Sequence, residues 1–147
     1  VVVAAATAAG QLPGAMVVRP GERLTVAGVE IEAVRAYNIN KFRSPGVPFH
    51  PREAEHVGFV VTVDGVRIYH TGDTDHIPEM AEIDCDVALL PVSGKYVMTV
   101  EEAAEAARTL SPQFVVPMHY GSGIGTSGDG QRLTELYDGE VVLLEVE

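Results

Sequence analysis

An α/β layered sandwich built on a mixed sheet is the fold this sequence predicts, and three patterns carry the prediction. Residues 29–36 alternate with period two, with Val29, Ile31 and Ala33 on one face and Glu30 and Glu32 on the other, which marks a strand with one wet side. Asp64-Gly65 stands between the apolar runs Val57–Val63 and Val66–His70, a strong hairpin signal because both turn positions tolerate a positive φ. From residue 86 onward, short apolar strands alternate with helical periodicity, the mark of strand–helix–strand units.

The elements follow in order. Residues 1–4 read as a strand and residues 7–12 as a short helix ended by Pro13-Gly14. Residues 17–22, with Arg19-Pro20-Gly21-Glu22, read as a turn, and residues 24–26 and 29–36 as a hairpin around Ala27-Gly28. Residues 37–55 form a long irregular stretch holding Pro45, Pro48 and Pro51, and long loops inside compact domains are often functional. The continuous apolar run at 86–91 predicts a strand buried on both faces. Thr99 opens a helix through residue 110, and Thr99 with Glu102 fits a capping box. Ala103, Ala104, Ala106 and Ala107 on that helix suit close packing on a sheet. Residues 114–117 form a strand, Asp129 caps a helix to residue 137, and residues 140–146 form a last strand. No linker or repeat divides the chain, so residues 1–147 are expected to be part of a single domain.

Composition narrows the function. Lys and Arg total 10 against 21 Asp and Glu, a formal net charge of −11. Such a surface repels nucleic acid and anionic membranes, and no basic stripe interleaves with aromatic rings. No apolar run reaches the ~18 residues of a membrane span. The single cysteine, Cys85, forbids an internal disulfide and fits a reducing, cytoplasmic setting. Asp84 and Asp86 flank it and are expected to raise its thiol pKa, which argues against a nucleophile. The chain opens on Val1-Val2-Val3 without a basic flank, a poor signal peptide, and begins as if within a strand, so a truncated or processed chain is expected.

Three segments carry candidate chemistry: Phe49-His50-Pro51, Tyr69-His70-Thr71-Gly72-Asp73-Thr74-Asp75 and Pro117-Met118-His119-Tyr120-Gly121. Each sets a ligand-type side chain at a strand end or in a loop, where sites in α/β folds assemble. Any one alone reads as an ordinary turn or a structural histidine; the ordered set is what points to a site.

That ordered set resembles the metallo-β-lactamase superfamily, whose members carry His-x-His-x-Asp-His, a single His, a Gly-Asp and a final His. Residues 69–74 resemble the Gly-Asp motif and residues 115–120 the final-His motif. Ile77-Pro78-Glu79-Met80 and residues 86–91 are similar to metal-dependent hydrolases of archaea and bacteria near the ascorbate-6-phosphate lactonase branch. The resemblance implies an αβ/βα sandwich represented by its second half, with mixed sheet and flanking helices. It also implies a dinuclear metal centre. His50 would serve the first metal, Asp73 would bridge the two, and His119 would serve the second. Asp73 and His119 would then be the catalytic residues, with a metal-bridging hydroxide attacking a small ester, lactone or phosphate-bearing substrate. Imidazole and carboxylate suit Zn, and equally Mn, Fe or Ni.

The sequence departs from the pattern in one respect. Its five histidines are His50, His56, His70, His76 and His119, and no two are spaced as His-x-His. Two protein ligands per metal fall short of the three or four that zinc usually takes. The chain alone is therefore expected to be inactive without an N-terminal segment, and the competing expectation is a non-catalytic half-domain that binds a partner. A half-sandwich should also expose an apolar sheet face, which predicts a homo-oligomer or the missing half as its cover.

Other positions stay open. His56 is an alternative to His50. Asp75 could orient a ligand or merely turn the chain. Lys95 and Tyr96 could bind an anionic substrate or belong to a surface loop. His70 reads as packing beside the site, His76 as a solvated loop residue, and Glu101, Glu102 and Glu105 as a solvated helix face. Five glycines between residues 121 and 130 read as a flexible loop near His119.

Overall fold

The computed structural model describes residues 1–121 and 123–144. Its centre is a six-stranded mixed sheet in the order β10-β9-β8-β7-β4-β3. The strands are β3 (Arg23–Val26), β4 (Val29–Arg35), β7 (Val57–Val63), β8 (Val66–His70), β9 (Val87–Pro91) and β10 (Phe114–Met118). The pairs β3–β4, β4–β7 and β7–β8 are antiparallel; β8–β9 and β9–β10 are parallel. The mixed α/β fold read from the sequence is the fold observed.

Both early hairpins close on two residues. Val63 pairs Val66 across Asp64-Gly65, and Val26 pairs Val29 across Ala27-Gly28. All four turn residues have positive φ, 51° and 82° in one and 51° and 83° in the other, the conformation that matches strand twist. The parallel strands are joined by a 3-10 turn (Pro78–Glu82) and by α2 (Val100–Leu110). The Thr99–Glu102 capping box on α2 is present in both directions.

One sheet face is covered. Val60, Tyr69, Ala88 and Val115 lie side by side across four strands and are buried beneath α2, α3 (Asp129–Leu136) and the 3-10 turn. The four alanines of α2 are buried there, which lets the helix lie close to the strands. The opposite face carries Val61, Ile68, Val87 and Phe114 in one row and Phe59, His70, Leu89 and Val116 in the next. Its apolar residues are half-exposed. The expectation that β9 is buried on both faces is therefore corrected: Val87 and Leu89 look out from an uncovered side.

Several boundaries differ from expectation. The first strand, β1, is Val3–Ala5, and the helix after it, α1, spans only Ala6–Ala9. Val17 and Val18, expected to open a turn, belong to strand β2 (Met16–Val18), parallel to β1, and the turn is confined to Arg19–Glu22, where the Glu22 amide donates to Arg19 O. The irregular stretch holds a small hairpin, β5 (Phe42–Ser44) with β6 (Val47–Pro48). Asp129 is the first residue of α3 rather than its cap; its carboxylate accepts from the Thr126 amide and hydroxyl. Of the expected last strand, residues 140–144 give one parallel bridge, Val141 to Val115, and residues 145–147 lie outside the described residues. Among the described residues no helix is long and apolar enough to cross a membrane.

Burial, reinforced by Asp84, pushes the Cys85 thiol up to about 11. Cys85 in the folded chain should react with a disulfide reagent at pH 8 about a hundredfold more slowly than in the urea-unfolded chain, since thiolate is the reactive form. Gly58 provides a packing test: a Cβ there would stand 2.5 Å from Thr71 O and 2.8 Å from His70 O, both backbone atoms. Gly58→Ala should cost about 1–3 kcal/mol in urea unfolding. Gly10→Ala, where nothing lies within 4 Å, is the control.

Candidate metal centre

The candidate residues gather at one edge of the sheet, and strand direction explains why. Strands β8, β9 and β10 are parallel, so their C-terminal ends share that edge. Strand β7 is antiparallel to β8, and β4 is antiparallel to β7 and so runs the same way as β8; the start of β7 and the end of β4 therefore arrive there too. Asp73 follows β8, Ser93 follows β9, and His119 directly follows β10. His50 lies in the loop before β7, and Asn38 follows β4. His119 has φ 58°, a left-handed conformation more common for His than for most residues. Gly72 has φ 68°, and a Cβ there would meet Val57 O at 3.1 Å, so the turn presenting Asp73 lies against the start of β7.

The three sequence-predicted ligands form a line. His50 Nε2 lies 3.6 Å from Asp73 Oδ2, and His119 Nε2 lies 3.6 Å from Asp73 Oδ1. Each imidazole thus faces its own oxygen of one carboxylate. These separations exceed a hydrogen bond, which would bring N and O to about 2.7–3.2 Å. They are close to the ~3.4 Å edge of a tetrahedron built on metal–ligand bonds of about 2.1 Å. The other ring nitrogens are occupied: His50 Nδ1 is 2.9 Å from Asn38 Oδ1, and His119 Nδ1 is 3.0 Å from Ser93 Oγ. Such outer contacts orient imidazole ligands. The donor set and its spacing fit a divalent cation on either side of Asp73. Among the described residues, however, no three His, Cys, Asp or Glu side chains converge on one point. Each side of the carboxylate thus has two candidate side chains.

His56 is not interchangeable with His50. Its ring meets the His50 ring edge-on at 5.6 Å between centroids, and its Nδ1 lies 3.3 Å from Thr7 Oγ1. Burial, helped by His50 and opposed by Asp73, holds its pKa below the ordinary value. A cleft of about 440 Å³ opens beside these groups, with His50, His56 and Asp73 on one side and Ala4, Leu12 and Phe59 on another. A second cleft, at the β3–β4 end of the sheet, is lined by Arg23, Glu30 and Arg67 and holds none of the candidate ligands.

The remaining candidates divide. Tyr96 borders the site: its carbonyl accepts from Asn38 Nδ2, and its ring packs edge-on against Phe49 at 4.7 Å. Lys95 is exposed with its ammonium 5.1 Å from the Tyr96 ring centroid. His70 is exposed and its Nδ1 accepts from the Gly72 amide, steadying the turn that carries Asp73. His76 is drawn away to Thr109 of α2. Asp75 is buried within hydrogen bonds to residues 38–40. The reading of Glu102 as a solvated helix residue is corrected: it pairs with Lys41 at 2.7 Å and accepts from Asn40. The glycine segment after His119 folds back so that Gly125 lies against Ser93. Asn38, Ser93 and Lys41 are the residues that sequence reasoning missed. For Asn38 the available signals were its place at the end of an alternating strand, in the loop that carries His50, and the resemblance of Ala36-Tyr37-Asn38 to the same metal-dependent hydrolases.

A mixed sheet with ligand-type residues at the strand ends defines a class, the metallo-β-lactamase fold. The beta-lactamase superfamily domain matches residues 5–119, and the chain belongs to that family. It is 42% identical over 104 residues to a metal-dependent hydrolase of Methanoculleus marisnigri, covering 68% of this chain and 46% of that protein. With one from Thermoplasma acidophilum it shares 32% identity over 125 residues, 81% of this chain and 52% of the relative. A crystal structure described as a metal-dependent hydrolase from Parabacteroides distasonis superposes with TM-score 0.84 at 36% identity, covering 99% of this chain and 64% of that one. One from Thermotoga maritima, described as a Zn-dependent hydrolase of the metallo-beta-lactamase superfamily, gives TM-score 0.68 at 25% identity, covering 91% and 74%. The chain spans about half the length of the curated relatives it matches.

The two imidazoles can be told apart by substitution. His50→Ala should weaken zinc binding by more than about 100-fold in competition with a chromophoric chelator, the upper range for loss of even an outer contact. His56→Phe should change it by less than about threefold.

Proposed function

We propose that this chain carries half of the metal centre of a metal-dependent hydrolase acting on a small ester, lactone or phosphate-bearing substrate. The observation that carries the reading is the single carboxylate of Asp73 flanked by two imidazole nitrogens at 3.6 Å each. The names of the relatives support it. A divalent pair held by His50, Asp73 and His119, zinc for preference with Mn, Fe or Ni as alternatives, would supply Lewis-acid polarisation and a nucleophilic water at neutral pH. This chain's own residues hold the ligands. Asn38 and Ser93 fix the two imidazoles, and Asp73, half-exposed, presents both oxygens to them. Lys95 and Tyr96 would receive an anionic substrate group, in a cell compartment that keeps Cys85 reduced.

Two ligands per metal argue that this chain alone is inactive and that hydrolysis needs further ligands from the family's His-x-His-x-Asp-His segment, in cis or in trans. A second reading, a non-catalytic module that associates with a partner or a second copy, draws on the half-exposed rows around Phe59, Leu89 and Val116. Apolar surface of that kind promotes association.

Elemental mass spectrometry on chelator-free protein, paired with light scattering, separates the readings. The hydrolase reading expects weakly held metal, lost on dialysis, and esterase or phosphodiesterase activity that appears with the additional segment and disappears with chelator. No metal and no activity in the presence of that segment would favour the binding module. A monodisperse monomer would argue against association through the open face.

A further inference from the structure

We infer that Asn38 is a positioning residue that fixes which nitrogen of His50 carries its hydrogen, and that an ionic chain from the buried Asp75 through Lys41 to the half-buried Glu102 holds Asn38 in register. The inference deepens the metal-centre reading above, though the contacts exist without any metal.

The amide orientation of Asn38 follows from its surroundings. Asn38 is 4% exposed, and its Nδ2 donates to Asp75 Oδ1 at 3.1 Å and to Tyr96 O at 2.9 Å. Both partners are acceptors, so the amide nitrogen must face them. Oδ1 is left facing His50, where it accepts from the backbone amide at 2.8 Å and meets the ring Nδ1 at 2.9 Å. A ring nitrogen whose partner is a carbonyl oxygen bears the hydrogen. His50 is therefore held as the Nδ1–H tautomer, with the lone pair of Nε2 turned toward Asp73. A neutral histidine free in water prefers the opposite tautomer, so the protein pre-sets the form a metal requires.

Asn38 is held in turn. Asp75 is 2% exposed, a position where an ionised carboxylate needs several donors. It has three, Ile39 N at 2.6 Å, Asn40 N at 2.9 Å and Asn38 Nδ2, and the Lys41 ammonium stands 3.7 Å away as a counter-charge. Lys41, itself 11% exposed at its side chain, also bonds Glu102 Oε2 at 2.7 Å. That carboxylate accepts from the Thr99 amide within the capping box of α2. Rotation of the Asn38 amide would set its oxygen against the Asp75 carboxylate and against Tyr96 O, so the arrangement has one orientation.

The test is long-range 15N–1H NMR of the histidine side chains in the metal-free 147-residue chain at pH 9, far above the roughly 6.5 of an ordinary imidazole. His50→Gln assigns the signal. The expected result is an Nδ1–H tautomer for His50 in the unmodified chain, and a shift to mainly Nε2–H in Asn38→Leu, with His56, His70, His76 and His119 unchanged. A merely structural asparagine would leave the tautomer where it was. An Nε2–H signal for His50 in the unmodified chain overturns the inference without any variant, and so does an unchanged Nδ1–H signal in a folded Asn38→Leu. Lys41→Met leaves the amide in place and should give a mixture of both tautomers; an unmixed Nδ1–H signal removes the ionic chain from the inference. Zinc affinity should fall about 10–100-fold in Asn38→Leu. An unmodified chain with the expected tautomer and no zinc binding would sink the metal reading and leave the role of Asn38 standing.

Discussion

A carboxylate removed from water is the constraint on which the site depends. Asp75 is nearly inaccessible, and a buried anion persists only where donors surround it. The donors come from residues 38–40, with the Lys41 ammonium as counter-charge, so satisfying Asp75 folds that segment over the turn that follows β8. Thr74 adds to this: its hydroxyl accepts from the Tyr37 amide and donates to the Tyr37 carbonyl. Within one short stretch, Asp73 turns outward to two imidazoles while Thr74 and Asp75 turn inward and anchor the loop. Chemistry and scaffold are separated by one residue of chain.

The sheet supplies the other half of the arrangement. A change from antiparallel to parallel pairing at β8 brings three C-terminal strand ends, one strand start and the exit of β4 to the same edge. Close backbone approach holds that edge together. Neither Gly58 nor Gly72 has room for a side chain between β7 and the Asp73 turn. Those two glycines therefore bear on the position of Asp73 although neither carries a functional group.

The covered and uncovered faces of the sheet tell different stories about stability. Tyr69, Ala88 and Val115 are fully buried beneath alanine-rich α2 and its neighbours. The rows through Phe59, Leu89 and Val116 remain half-exposed, an arrangement that association would stabilise. The apolar cleft beside His50 and Asp73 adjoins that same open side, since Phe59 borders both. The half-exposed sheet face and the candidate site are thus neighbours.

Much of this was legible in the residues themselves. Period-two alternation gave β4, the Asp-Gly pair gave β7 and β8, and Thr99 with Glu102 gave the start of α2, because each signal is local and its physics acts over a few residues. The three ligand candidates could be named from their motifs. What no local pattern could decide was the parallel pairing of β1 with β2, the one-sided burial of β9, and the pairing of Glu102 with Lys41 across 61 residues of chain. Nor could it decide that His50 rather than His56 faces Asp73, for both lie in the approach to β7 and only the fold sets which ring reaches the carboxylate. The sequence determined the residue types gathered at the candidate metal edge; the tertiary structure decided their partners, because a hydrogen bond between distant residues depends on where the strands end.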